Sequence, residues 1–290
     1  MQSRSDYYIP SGSYWPILGS VGMFAMLGGF AGSLHGSIAG TIGLVLGLGM
    51  IIFMIFGWMG QVVHESENGF YNKEVDSSFR MGMGWFIFSE VMFFAAFFGA
   101  LFYARQLSVP WLAGEGNNVW TGQLLWPEFK AVWPLIQMPD ASNFTVPKGI
   151  ITAWELPAIN TALLLTSGAT LTWAHWALMN KNRNQLIAGL MLTIVLGVIF
   201  LGLQIEEYYI AYTQLDLKMT SGIYGSTFFM LTGFHGFHVT LGVIMLIVIL
   251  MRCIRGHFNM DRHFGFEGVA WYWHFVDVVW LGLFVVVYWL

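Results

Sequence analysis

The most constraining feature of the sequence is a long uncharged stretch in its first quarter. Between Tyr7 and His64 there is no lysine, arginine, aspartate or glutamate. About 20 consecutive apolar residues are enough for a helix to cross the roughly 30 Å hydrocarbon core of a bilayer. The stretch is therefore long enough for two transmembrane helices, which we place near 15–34 and 38–63 on either side of a short polar break.

The whole chain has the composition of a membrane protein. Hydrophobic residues make up 57% of its 290 residues and charged residues 10%, against about 45–50% and about 25% in soluble domains. The net charge of −4 offers no broad basic surface, which excludes nucleic acid as a partner. The single cysteine, Cys253, excludes an internal disulfide and a thiolate metal centre, so any metal would depend on histidine ligands.

Five further apolar segments bring the expected total to seven transmembrane helices. They lie near 81–104, 156–180, 185–205, 218–252 and 268–290. Lysine and arginine are more frequent beside the helix ends that share a side with the N-terminus, which predicts a cytoplasmic N-terminus and a periplasmic C-terminus. We therefore expect an all-α, polytopic membrane protein.

The connection at about 106–155, between the third and fourth predicted helices, is longer than ordinary connections. It contains Trp111, Trp120, Trp126 and Trp133 and several prolines. Tryptophan is enriched at membrane–water interfaces, and it also suits a contact with a partner protein. The composition leaves both alternatives open for this segment, which we expect on the extracytoplasmic side.

Glu90 is the single acid in the third predicted helix. It follows Arg80 by ten residues, which places it about 15 Å further along the helix and near the middle of the membrane. Its neighbours at spacings of three and four are all phenylalanine or isoleucine, and apolar surroundings favour the neutral form of a carboxylic acid. Two interpretations stay open, an acid that handles protons or one interhelical hydrogen bond that fixes packing.

Histidines and an aspartate mark other helices. His235 and His238 are three residues apart and share one helical face. This spacing permits joint metal or haem ligation, and equally hydrogen bonds to Glu90 or to carbonyl groups. We favour hydrogen bonds, because metal sites usually need three or four protein ligands.

Another histidine and aspartate have the same spacing. His274 and Asp277 can relay a proton or neutralise each other within the membrane, of which we favour neutralisation. His175, between two tryptophans, permits the same alternatives.

A basic cluster follows the sixth predicted helix. Arg252, Arg255, His257 and Arg262 can hold anionic phospholipid headgroups, or they can reflect positive-inside topology. The sequence contains no nucleotide-binding loop, nucleophile elbow or zinc-hydrolase helix. Chemistry by this chain alone therefore has little support.

At these residues the sequence resembles subunit III of the haem-copper cytochrome c oxidases. The matching runs keep their order and cover most of residues 55–290, whereas the first two helices match only in character. The runs are 79–82, 89–94, 160–161, 172–175, 207–209, 222–229, 232–238, 263–267 and 271–280.

The resemblance implies two helical bundles separated by a V-shaped cleft filled with phospholipid. Helices 1 and 2, in residues 1–66, form one bundle, and helices 3–7, in residues 67–290, form the other. His64 stands where some relatives have a cleft arginine, and Glu90 matches a membrane carboxyl that reacts with hydrophobic carbodiimides. The residues at lipid-contacting positions are Trp58, Glu65, Arg252 and His257. The residues expected in a structural polar network are Arg80, His175, His235, His238, His274 and Asp277.

The resemblance also implies a function within a larger complex. That complex oxidises cytochrome c, reduces oxygen to water and pumps protons. Its haems and copper lie in subunits I and II, so this chain is expected to carry bound phospholipid and no haem or metal of its own. Subunit III supports rapid proton uptake and prevents turnover-linked inactivation.

The partners expected from the resemblance are subunits I and II and phospholipids, with a small additional subunit as a further candidate. The length of the 106–155 connection exceeds that in shorter mitochondrial relatives, which predicts a bacterial form in the inner (cytoplasmic) membrane. Two other readings remain open from the residues alone. They are an autonomous haem-binding oxidoreductase that uses the histidines, and a secondary transporter that uses the intramembrane acids.

Overall fold

The computed structural model describes residues 7–9, 12–260 and 262–290. Over these residues the chain is helical, and its β-structure is limited to one isolated bridge between Asn259 and Arg262. Seven of the helices in the described residues have 20 or more residues, which confirms the predicted all-α, seven-helix fold. The helices are α1 (Trp15–Leu34), α2 (Ile38–Glu67), α3 (Lys73–Tyr103), the short α4 (Val109–Leu112), α5 (Leu156–Met179), α6 (Arg183–Thr213), α7 (Gly222–Arg255) and α8 (Phe264–Leu283).

Six helical segments of the described chain are long and apolar enough to cross a membrane. They correspond to α1, α2, α3 with its extension to Leu112, α6, α7, and α8 with its extension to Trp289. The remaining long helix, α5, has 24 residues and is about 36 Å long, but polar residues lower its hydropathy. Two of these, Asn160 and Ser167, are fully buried, so they face protein and not lipid.

The largest errors in the predicted helix boundaries are eight residues each, at the start of α3 and at the end of α6. The third helix begins at Lys73 and not near 81, and α6 continues to Thr213 and not to about 205. Lysine and glutamate are good helix formers, so a helix can continue beyond the end of its apolar run. As a result Glu206 and Glu207, which follow the predicted helix end near 205, lie inside α6.

The chain divides into two compact units at a point within α3. One unit extends to Met81, and the other comprises Gly82–Leu290. The first turns of α3 therefore belong to the first unit together with α1 and α2.

Close packing of glycine residues joins α1 and α2 in the first unit. The turn between them contains Gly36 at a φ of 74°, a conformation that glycine adopts without steric cost. A Cβ atom on Gly29, Gly40 or Gly47 would overlap the backbone of the facing helix. These residues therefore allow the close helix approach that stabilises packing in lipid.

Trp273 on α8 is the central side chain of the second unit and is fully buried. Its ring lies against Gly197 of α6 and Gly242 of α7, where any Cβ would collide with it. Its Nε1 donates a hydrogen bond to Ser167 Oγ on α5 at 2.9 Å. One indole thus holds four helices in register.

The connection after α4 is fastened to the connection between α6 and α7. Lys148 Nζ lies 2.5 Å from Asp216 Oδ2, and the hydroxyl groups of Thr145 and Thr220 are 2.9 Å apart. Trp120 in the same connection remains 70% exposed. Part of this long segment therefore folds onto its own chain, while some of its aromatic surface faces outward.

Candidate functional site

Glu90 and His238 link α3 to α7 in the second unit. Glu90 Oε2 lies 2.9 Å from His238 Nε2, and His238 Nδ1 lies 2.6 Å from the carbonyl oxygen of Phe234. A carbonyl oxygen can only accept, so Nδ1 carries a hydrogen, and a hydrogen bond between Nε2 and the carboxyl requires one further proton. The pair is therefore either two neutral groups or an ion pair, and its net charge is zero in both forms.

Aromatic rings from α3 and α8 surround His238. The ring centroids of Phe94, Phe93 and Tyr272 lie 5.0, 5.9 and 6.3 Å from its own. The Tyr272 hydroxyl also donates a hydrogen bond to the backbone carbonyl of His238 at 3.3 Å. A low-dielectric environment of this kind strengthens a satisfied hydrogen bond and makes an unpaired polar group costly.

His235 points to a different partner from His238. Its Nε2 donates to the carbonyl oxygen of Val276 on α8 at 3.1 Å, and its ring is buried beside Trp280, at 5.1 Å between centroids. The two histidines share a helical face, yet one binds a carboxyl of α3 and the other binds the backbone of α8. This arrangement does not converge on a common metal or haem position.

His274 and Asp277 form a third polar contact, where α8 meets α5. His274 Nδ1 lies 3.5 Å from Asp277 Oδ2, and His274 Nε2 lies 3.4 Å from Thr172 Oγ1. A Cβ on Gly168 would overlap the Asp277 carboxyl, so glycine leaves the space that this carboxyl occupies. Asp277 is buried, while the His274 side chain is 43% exposed.

Arg80 and His175 contact other residues and take no part in these pairs. Arg80 forms an ion pair with Asp76 at 2.8 Å in the first unit. His175 packs its ring against His263, at 5.7 Å, and Phe266, at 5.2 Å. The six residues expected in a polar network are thus distributed over several local contacts.

Two of the expected lipid-contacting residues, Trp58 and Glu65, lie on α2 in the first unit. Trp58 is exposed and Glu65 is buried. The Glu65 carboxyl accepts hydrogen bonds from Gln61 Nε2 at 2.9 Å and from the Tyr71 hydroxyl at 2.8 Å. Burial, and secondly this hydrogen bond, raise the pKa of Tyr71, so the phenol remains a donor to Glu65.

The other two, Arg252 and His257, lie at the end of α7 in the second unit. The Arg252 guanidinium lies 4.3 Å from the centre of the Phe258 ring, a cation–π geometry. The backbone N–H of His257 donates to the carbonyl oxygen of Arg252 at 3.1 Å, just after Gly256 ends the helix in a left-handed conformation. Cationic and aromatic groups therefore meet at one helix end.

Sequence reasoning missed a buried acid on α6. Glu207 is fully buried and accepts hydrogen bonds from the Tyr288 hydroxyl at 2.6 Å and from Gln204 Nε2 at 3.4 Å. If the helix is continued past residue 205, Gln204 and Glu207 follow Phe200 by four and seven residues and therefore lie on the same buried face of the helix. The assumed end of the helix concealed this signal.

Within the described residues no group of three or more histidine, cysteine, aspartate or glutamate side chains is arranged to hold a metal ion. Several polar residues of the membrane helices instead pair with each other or with backbone carbonyls, as Glu90 does with His238 and His235 with Val276. The fold and the site thus define a polytopic helical membrane protein whose intramembrane carboxyls and histidines join helices.

Comparison with known proteins identifies the family. The family described as cytochrome c oxidase subunit III matches residues 5–121 and 124–290. Cytochrome c oxidase subunit 3 of Marchantia polymorpha is 40% identical over 292 residues, covering 100% of this chain and 98% of the relative. The proteins of that name from Arabidopsis thaliana and Danio rerio are each 40% identical, over 289 and 285 residues, covering 99% and 98% of this chain and 97% and 96% of the relatives.

The chain therefore belongs to the cytochrome c oxidase subunit III family, which confirms the resemblance found in its sequence. A member of this family is part of a membrane-bound oxidase complex that contains other subunits.

Proposed function

We propose that the chain is an accessory, cofactor-free subunit of an aerobic terminal cytochrome c oxidase. It stabilises the catalytic subunit, binds phospholipid and supports proton uptake during oxygen reduction and proton pumping. The observation that carries this proposal is the pairing of intramembrane polar groups, His238 with Glu90 at 2.9 Å and His235 with the Val276 carbonyl at 3.1 Å. Side chains engaged in this way stabilise helix packing.

In this account the haems and copper lie in subunits I and II, which are the partners of the chain. The alternative of an autonomous haem-binding oxidoreductase would require histidines that approach a common haem position, whereas His235 and His238 are engaged with partners on different helices. A secondary transporter would use its intramembrane acids to bind an ion or a substrate. Here Glu90 contacts His238 and Asp277 contacts His274. Family membership favours the accessory role over both.

We infer that phospholipid binds to both helical bundles, the one in residues 1–66 and the one in residues 67–290. Trp58, Glu65, Arg252 and His257 would contact it. Exposed tryptophan and cationic groups at helix ends suit the headgroup region of a bilayer, and both occur among these residues.

We further infer a bacterial inner membrane as the location, with a cytoplasmic N-terminus, a periplasmic C-terminus and an extracytoplasmic 106–155 connection. The asymmetric distribution of lysine and arginine supports this orientation. The relatives named above come from eukaryotes, so the bacterial location rests on the length of the connection.

Lipid retention tests the binding role. The purified complex with Arg252→Ala should carry less tightly bound phospholipid, measured by mass spectrometry of its lipid extract. Arg255→Ala is the matched control, because Arg255 is an exposed arginine in the same last turn of α7. Equal lipid content in the two variants and the unmodified complex would contradict the assignment of Arg252.

A further inference from the structure

A second cluster of buried polar side chains occupies α5 and α6. Asn160 and Glu207 are 0% exposed, and Gln204 is 6% exposed. Four of their polar atoms have no hydrogen-bond partner within the described chain, namely Asn160 Nδ2 and Oδ1, Gln204 Oε1 and Glu207 Oε2. Buried polar atoms are paired in the great majority of cases, either with protein or with an ordered water. The cluster therefore requires an explanation.

The register of α5 against α6 places Asn160 and Gln204 at nearly the same level. Thr170 Oγ1 lies 2.8 Å from Thr193 Oγ1, and the two helices are joined by a short turn, so they are antiparallel. Ten residues back from Thr170 is Asn160, and ten residues on from Thr193 is position 203. Asn160 is therefore level with Gln204, which lies one turn before Glu207.

A shared aromatic neighbour supports this register. Trp280 Nε1 donates to Thr161 Oγ1 at 2.9 Å, and the Trp280 ring lies 4.8 Å from that of Phe200. Thr161 and Phe200 thus contact the same indole. Thr161 is the residue after Asn160 on α5, and Phe200 lies about one turn before Gln204 on α6.

Tyr288 closes the cluster from the last helical turn, Phe284–Trp289. Its hydroxyl donates to Glu207 Oε1 at 2.6 Å, and its ring lies 5.9 Å from that of Trp280. The ion pairs found in the described chain do not include Glu207. One oxygen of this carboxyl therefore has a donor and the other has neither a donor nor a counter-ion.

We propose that Asn160, Gln204 and Glu207 hold one buried water molecule and that Glu207 carries a proton at this site. The water oxygen accepts hydrogen bonds from Asn160 Nδ2 and from the protonated Glu207 Oε2. Its two hydrogens are donated to Asn160 Oδ1 and Gln204 Oε1. Every unpaired atom of the cluster then has a partner. A water with three or more polar partners is typical of buried hydration sites.

The hydrogen-bond donors and acceptors of the cluster fit a water molecule better than a metal cation. A cation would satisfy the three oxygens, but the Asn160 amide hydrogens would then face a positive charge. The cluster thus forms a proton-holding carboxyl site separate in its contacts from the Glu90–His238 pair.

Infrared difference spectroscopy of the purified oxidase complex tests the proton. The carbonyl stretching band of a protonated carboxyl should shift in D₂O, and the Glu207→Gln complex should lack one such band. Glu206→Gln is the matched control, because Glu206 is the neighbouring exposed acid, and its complex should keep the band. Identical protonated-carboxyl bands in the Glu207→Gln and unmodified complexes would overturn the proposal.

A high-resolution cryo-EM map of the unmodified complex tests the water without any substitution. The expected result is one density feature about 2.7–3.2 Å from the polar atoms of Asn160, Gln204 and Glu207. Absence of density there, or density about 2.3–2.6 Å from the oxygens alone, as for a calcium ion, would overturn the proposal.

Discussion

Glu90 Oε2 on α3 and His238 Nε2 on α7 are 2.9 Å apart, and the contact contains a single proton because His238 Nδ1 already donates to Phe234. The two helices are thus joined by a bond between residues 148 positions apart in the sequence. The bond needs a donor or acceptor at position 90, but it does not need a charge there.

Glu90→Gln should therefore preserve the contact, since the amide N–H can donate to Nε2. We expect unchanged haem content in the assembled complex and a modest change in stability or in the rate of proton uptake, measured with a pH-sensitive dye. Complete loss of oxygen reduction in a normally assembled Glu90→Gln complex would refute this account.

Glu90→Leu should have a larger effect, because it leaves His238 Nε2 unpaired. The expected cost is about 1–3 kcal/mol of the unfolding free energy, seen as a lower thermal midpoint of the complex. Ser89→Ala, at the adjacent exposed position, is the control and should change the midpoint little. A midpoint for Glu90→Leu equal to that of the control would show that the bond contributes nothing.

Gly168→Ala should destabilise the contact between α5 and α8. The added methyl group would overlap the Asp277 carboxyl, and overpacking of this kind costs about 1–3 kcal/mol. Gly202→Ala on α6 is the matched control, because a Cβ there meets nothing within 4 Å and alanine is favoured over glycine in a helix by about 1 kcal/mol. Thermal unfolding should separate the two variants, and equal midpoints would contradict the packing described for Gly168.

A similar pair of positions tests the hairpin of α1 and α2. Gly47→Ala would place a methyl group against the backbone of α1, whereas a Cβ on Gly49 meets nothing within 4 Å. Gly47→Ala should lower the thermal midpoint and the retention of the subunit during purification, and Gly49→Ala should not. The close helix approach would be refuted by two variants that behave alike.

The attachment of the 106–155 connection should depend on pH. A hydrogen bond from Lys148, and secondly one from Lys218, lower the pKa of Asp216. A carboxyl with a lowered pKa in the folded state stabilises that state above the ordinary value of about 3.9, and this contribution is lost as the pH falls through the lowered value. The contribution is therefore complete at neutral pH and disappears only in acid.

Hydrogen exchange can measure this attachment at the Lys148 amide, which donates to the Leu215 carbonyl at 2.7 Å. After correction for the intrinsic rate, its protection should fall below about pH 4. Asp216→Asn should reduce protection already at neutral pH, whereas Glu128→Gln, at an exposed acid of the same connection, should not. Protection that is insensitive to both acid and Asp216→Asn would contradict the role of the ion pair.

The long helices could be predicted because lipid imposes a minimum length of apolar sequence. For α1 the predicted and observed bounds are both 15–34. The start of α3 and the end of α6 could not be predicted in this way, because a helix continues into polar sequence without an apolar signal. Glu207 was missed for this reason.

The polar residues of the site could be identified from the sequence, but their hydrogen-bond partners could not. Glu90, His235 and His238 stood out as polar residues in apolar helices. The spacing of His235 and His238 permitted a shared ligand position as well as separate hydrogen bonds, and hydrogen bonds were favoured only because metal sites usually need more protein ligands. Only the packing of α3 and α8 against α7 shows that His238 meets a carboxyl and His235 meets a backbone carbonyl.

The most direct test of the accessory role is an optical absorption spectrum of the purified chain, before and after it is separated from the proteins that accompany it. We predict that haem absorbance is present with larger partner subunits and absent from the isolated chain. A Soret band that stays with the isolated chain would contradict the account and would make this protein an electron carrier in its own right.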